Sequence, residues 1–171
     1  SFALTAQRFP IAPDVSDLYQ CFAFDAPVTE ARFVRRFEAI VDQRRVVHHI
    51  VLLRDPDRST AGMPQFRCSG MPASSQYLYA WAPGQDAFEF PEGGLRVTPG
   101  QRFIVQVHYN NGSRVPDVAD SSGVRPSRFA ALTTSSQNQP AARSVRASAA
   151  RGSNFAPRST DSKTACAAPP A

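Results

Sequence analysis

Short runs of alternating apolar and polar residues, separated by turn chemistry, organise residues 1–125. Leu18 to Asp25 (LYQCFAFD) sets Leu18, Gln20, Phe22 and Phe24 against Tyr19, Cys21, Ala23 and Asp25, and follows the polar cluster Pro13, Asp14, Ser16, Asp17. The pattern predicts a strand. Val46 to Leu53 (VVHHIVLL) is rich in β-branched residues, stops at Asp55-Pro56-Asp57 and is too short for a typical helix, so it reads as a buried strand. Gln76 to Ala82 closes at Pro83-Gly84. Gly94 to Thr98 turns at Pro99-Gly100 into Arg102 to Tyr109 (RFIVQVHY), which predicts a hairpin, and Asn110-Asn111-Gly112 makes a strong turn after it. Ala31 to Val41 fits both periods. Phe33, Phe37, Ile40 and Val41 make a helical stripe, while Phe33, Phe37, Ala39 and Val41 make one strand face. Frequent short strands with little helix predict an all-β fold, an antiparallel sandwich or jelly roll.

After residue 125 the pattern stops. Residues 126–171 contain 12 Ala, eight Ser, five Pro and five Arg, and keep neither period. Such a segment buries too little apolar surface to offset the roughly 1–2 kcal/mol per residue of backbone entropy lost on ordering. It is expected to be a disordered tail of low complexity. Charge divides at the same place: residues 1–125 hold 13 basic and 13 acidic side chains, so the net charge of +5 belongs to the tail. The basic pI is therefore no sign of a nucleic-acid face. No stretch approaches the roughly 20 apolar residues of a membrane helix. The chain starts at Ser1 with neither Met nor a signal-like apolar run, as a processed or excised chain would.

Three histidines carry the candidate chemistry. His48 and His49 are adjacent in VVHHIVLL, and His108 lies in RFIVQVHY. Imidazole nitrogen suits copper and zinc. Alternation puts Ile104, Gln106 and His108 on one strand face, so Gln106 is a candidate to orient a ligand or a water; a solvated strand residue is the other reading. Vicinal histidines in a regular strand point to opposite faces, so both reach one metal only where the strand bulges or ends. The spacing is equally that of one hydrogen-bonded core histidine and two surface ones. Met63 and Met71 sit beside proline in loop-like sequence and read as packing or surface residues. Asp17, Glu89 and Glu92 have no histidine or acidic partner nearby in sequence, and none is assigned as a general acid or base. Tyr79 and Trp81 share a strand face and are expected to pack in the core.

DLYQCF (17–22), VVHHIVLL (46–53), YAWAPG (79–84), FPEGGLRV (90–97) and QVHYNN (106–111) occur in that order. Together they resemble the N-terminal domain of the copper type II, ascorbate-dependent monooxygenases, the family of dopamine beta-monooxygenase and peptidylglycine alpha-hydroxylating monooxygenase. The resemblance implies a jelly-roll domain whose His48, His49 and His108 hold one copper, the electron-storing centre reduced by ascorbate. It also implies a second copper domain, which binds oxygen, hydroxylates a substrate C–H bond and uses a His-x-His pair and a Met. With three histidines in all, this chain has none left for that second centre, so catalysis would need the partner domain. The family pattern further implies a disulfide between Cys21 and Cys68, which on a chain-entropy model would contribute roughly 4 kcal/mol. Two buried thiols are the other reading of these cysteines, and Cys166 has no evident partner.

Such a disulfide would place the protein in an oxidising compartment: secreted, periplasmic or in the lumen of the secretory pathway. Resembling domains continue past DSSGVR into a further strand and a linker, whereas this chain turns to an Ala, Arg, Pro and Ser mixture. That mixture is what a GC-rich gene read out of frame would give, or it is a genuine basic extension; either way the sandwich is expected to be incomplete at its C-terminal end. Asn111-Gly112-Ser113 matches a glycosylation acceptor, though the turn accounts for it. Two functions are compatible with these features: the electron-transferring half of an ascorbate-dependent monooxygenase, or a secreted domain that binds copper or another protein without turnover.

Overall fold

The computed structural model describes residues 1–127, and every regular element in them is a strand. In chain order these are β1 (Leu4–Thr5), β2 (Phe9–Ile11), β3 (Leu18–Asp25), β4 (Arg32–Val34), β5 (Arg36–Ile40), β6 (Val47–Asp55) and β7 (Gln65–Arg67). They continue as β8 (Gln76–Trp81), β9 (Phe88–Glu89), β10 (Leu95–Val97), β11 (Arg102–Tyr109), β12 (Val118–Asp120) and β13 (Gly123–Ser127). A five-stranded sheet, β7-β3-β11-β6-β8, packs on a four-stranded sheet, β1-β13-β5-β9, with two small ribbons, β10-β4 and β12-β2. All pairings are antiparallel. The fold is the all-β, jelly-roll-like sandwich that the strand spacing predicts.

Alternation along β11 explains both faces of the larger sheet. Phe103, Val105, Val107 and Tyr109 point into the sandwich, where they join Phe22, Ile50, Leu52 and Trp81 of their own sheet and Leu4, Phe37 and Val124 of the other. Each such side chain contributes about 1.5–3 kcal/mol by leaving water. The opposite face would be solvated in a simple sandwich, yet all eight residues of β11 are buried. Ile104 there joins Cys21, Ala23 and Leu53 in a second, smaller cluster that Phe66 and Cys68 cover. Cys21 and Cys68 form a disulfide, with Cα atoms 5.9 Å apart, so the covering segment is bonded to β3. At the seam of the smaller sheet, Gly123 is required by space: a Cβ there would overlap the Leu4 carbonyl and come within 2.6 Å of the Thr5 Cα.

Two sequence expectations resolve differently. Ala31 to Val41 takes the strand option, broken at Arg35 into β4 and β5. The hairpin expected between Gly94–Thr98 and Arg102–Tyr109 does not form. β10 pairs with β4, Leu95 against Val34 and Val97 against Arg32, while both edges of β11 are taken by β3 and β6. A two-residue turn signal gives a reversal of the chain but not the partner, which longer-range burial decides. Asn111 is buried, and its side-chain nitrogen donates to the carbonyls of Ala12 and Val115, so the turn reading of Asn111-Gly112-Ser113 is the one the structure bears out. β13 runs to Ser127. Expectations for the tail beyond it and for Cys166 lie outside the described residues.

Candidate metal centre

Three neighbouring strands bring the histidines together. His108, near the end of β11, stands opposite Tyr19 on β3 and His49 on β6. The next pair along, however, is Tyr109 with Val47, so one residue of β6 has no counterpart: His48. This is a β-bulge, one of the two ways in which adjacent histidines can reach one point. On the regular side of it Ile50 and Leu52 face the core, and on the other side Val47 does so as well. The bulge takes up the extra residue and turns His48 out beside His49.

All three imidazoles meet through the same atom. The Nδ1 atoms of His48 and His49 are 3.2 Å apart, those of His48 and His108 3.1 Å, and those of His49 and His108 3.2 Å. First-row ions bind imidazole nitrogen at about 2.0–2.1 Å, and a tetrahedral site then separates its donors by about 3.3–3.4 Å. The donor set therefore fits one metal ion, as a tripod with one side open. His48 is exposed, His49 half-buried and His108 buried, so the open side communicates with solvent.

The surroundings favour lone pairs directed inward. His108 Nε2 lies 2.5 Å from Asp17 Oδ1. An ionised carboxylate only accepts, so Nε2 carries the hydrogen and Nδ1 keeps its lone pair. Tyr19 stacks on the same imidazole with ring centroids 4.1 Å apart and planes 2° from parallel, which fixes its tilt. At His49 burial, then the neighbouring His108 and His48, lower the pKa below the usual imidazole value against the opposing charge of Asp17. That direction favours the neutral imidazole that a ligand must be.

Other sequence candidates fall elsewhere. Gln106 is buried, which removes the solvated reading, and its side-chain nitrogen donates to the Gly70 carbonyl at 2.6 Å and to Cys68 Sγ at 3.4 Å. It ties the disulfide segment to β11 two residues from His108. Met63 and Met71 are exposed and outside the histidine cluster. Glu89 pairs with Arg36. Tyr79 and Trp81 are buried in the core, and the Trp81 indole donates to the Gln85 carbonyl. Tyr19 is the residue that sequence reasoning missed, and Asp17, a carboxylate with no histidine nearby in sequence, finds its partner across space in His108. The signal was the alternation of Asp17, just before β3, with Tyr19 and Cys21 within it, which gains meaning only once β3 is known to lie beside β11.

Residues 2–116 match the family described as copper type II ascorbate-dependent monooxygenase, N-terminal domain. The chain belongs to this family. It is 34% identical over 129 residues to peptidylglycine alpha-amidating monooxygenase of Rattus norvegicus, covering 72% of this chain and 13% of that protein. It is 30% identical over 139 residues to DBH-like monooxygenase protein 1 of Gallus gallus, covering 72% of this chain and 22% of that protein. To DBH-like monooxygenase protein 2 of Mus musculus it is 27% identical over 126 residues, covering 67% and 20% respectively. The chain thus spans roughly a fifth or less of the length of these curated relatives. The family is copper- and ascorbate-dependent. Among the described residues no helix is long and apolar enough to cross a membrane.

Proposed function

We propose that this chain is the copper-binding, electron-transferring part of an ascorbate-dependent monooxygenase that hydroxylates a substrate C–H bond with O2. The observation that carries the reading is the triangle of Nδ1 atoms 3.1–3.2 Å on a side, built from His48, His49 and His108. Copper held there supplies a one-electron redox centre. Asp17 keeps the His108 proton on Nε2, Tyr19 fixes the plane of that ring, and the bulge leaves His48 at the solvent side. Gln106 and the Cys21–Cys68 bridge hold the segment beside β11. Hydroxylation is assigned to a second copper domain, in keeping with the small share of each relative that the chain spans. The disulfide supports an oxidising compartment, secreted, periplasmic or lumenal.

Titration of the purified chain with Cu(I) and with Cu(II) tests the ligand set. One ion per chain is expected. His48→Ala, at an exposed bulge position, should weaken binding by more than the roughly 10–100-fold that loss of an outer partner costs, with the unfolding midpoint unchanged. Equal binding by the variant would defeat the assignment. Supplying a second copper domain with ascorbate then separates the monooxygenase from a copper binder without turnover: no oxygen uptake above that of free copper would favour the binder.

A further inference from the structure

The turn that enters β6 carries two arginines whose charge is left over. Several other arginines pair with carboxylates, Arg32 with Glu30, Arg36 with Glu38 and Glu89, Arg58 and Arg102 with Asp25, Arg125 with Glu38, while Arg8, Arg67, Arg96 and Arg114 stand apart from one another in sequence without a side-chain partner among the described residues. Arg44 and Arg45 are exposed, and no hydrogen bond or ion pair among the described residues engages either guanidinium. The balanced charge of residues 1–125 therefore hides a local excess three residues from His48.

These arginines border a hollow. A cavity of about 310 Å³, open on one side, is lined by Arg44, Arg45, His48, Pro83, Asn110 and Ser113. Its size is at the lower end of small-molecule sites. The Asn110 side-chain oxygen accepts from the Gly112 amide at 2.9 Å, leaving the side-chain nitrogen to donate outward. The Ser113 hydroxyl likewise makes no bond within the described residues. Two cations, an amide donor, a hydroxyl and the edge of a candidate metal ligand share one wall.

We infer that this hollow docks the anionic reductant, ascorbate, against His48. The inference rests on the functional reading above and supplies the docking site that reading lacks. Ascorbate at neutral pH is a monoanion whose charge lies on one enolate oxygen and is delocalised through the ring double bond onto the lactone carbonyl. A guanidinium can donate to that enolate oxygen and to the hydroxyl oxygen beside it, and Asn110 and Ser113 can bond its hydroxyls. From that position one ascorbate monoanion gives one electron to a cupric ion on the imidazoles, which becomes cuprous. It releases one enediol proton to water and leaves as the ascorbyl radical anion. Arg44 also borders a neighbouring hollow that contains Glu38 and Asp86, whereas Arg45 does not. Arg45 therefore carries the larger share of the attraction.

The test uses the full chain, first without metal. Sodium ascorbate is added anaerobically to ¹⁵N-labelled protein and amide shifts are followed. Saturable shifts are expected at residues 44–48 and 110–113, with affinity about 10-fold lower in Arg45→Glu and less reduced in Arg44→Glu. On the copper-loaded chain, Arg45→Glu should slow reduction by ascorbate about 10-fold while leaving reduction by neutral hydroquinone unchanged. Shifts elsewhere or none, displacement of ascorbate by equimolar inorganic phosphate, or equal slowing with hydroquinone would each overturn the site. A chain that binds no copper would defeat the functional reading, whereas the metal-free shifts report on the hollow alone.

Discussion

At Arg102, where β11 begins, the guanidinium donates from Nε to the Thr60 hydroxyl and from one terminal nitrogen to the Thr60 carbonyl, each at 2.8 Å, and from the other to Asp25 at 3.2 Å. Opposite it on β6, Asp55 is buried and accepts from the amides and hydroxyls of Ser59 and Thr60 at 2.7–3.0 Å. Donors and acceptors are matched within the protein. Six residues along the same strand, about 20 Å away, three Nδ1 atoms converge, and among the described residues only His108 has a carboxylate on its outer nitrogen. Lone pairs aimed at one point repel until a proton or a cation separates them. The first cluster holds strands together because it is complete. The second is suited to a ligand because it is not.

The sharpest way to break this contrast is Asp55→Ala. It leaves the hydroxyls and amides of Ser59 and Thr60 without their acceptor and should lower stability by about 3 kcal/mol in urea unfolding, while metal affinity stays within twofold of the unaltered chain. A parallel loss of metal binding would show that the two ends are not independent. Asp17→Asn is the converse. It removes the charge behind His108 at an exposed position, so metal affinity should fall about 10-fold and stability should change by less than about 0.5 kcal/mol. The smallest effect is expected in acid. Burial raises the Asp55 carboxyl, but the Thr60 hydroxyl and amide and the Ser59 hydroxyl and amide outweigh it and hold its pKa below the usual value. A lowered carboxyl stabilises the fold above the unfolded pKa and loses that contribution as pH falls through the folded one. Stability should therefore fall as the pH drops below about 4, and Asp55→Asn should flatten that limb of the curve.

How much of this was legible in the residues follows the range of each interaction. β3, β6, β8 and β11 are visible from alternation and β-branching alone, because those signals are local. The partner of β10 is not, since the turn before β11 specifies a reversal while burial of Val34 and Val97 chooses β4. Of the centre, the histidines were visible as residues and the required bulge as a geometric condition. The roles of Asp17 and Tyr19 were not, because they depend on β3 lying beside β11 in a register that sets Tyr19 opposite His108. Arg44 and Arg45 vanished into a balanced total, since counting charges over a domain says nothing about which of them find partners.

The single surplus residue in β6 has one further consequence. Deleting His48 would put Val47 next to His49 and let β6 and β11 run in step to their ends, with Tyr109 and Val47 still facing each other. The ladder would become more regular and the tripod would lose a leg. Parity, rather than packing, is what this stretch of backbone gives up to assemble its three nitrogens, so a shortened chain that folds well and has lost its metal is the outcome this geometry entails.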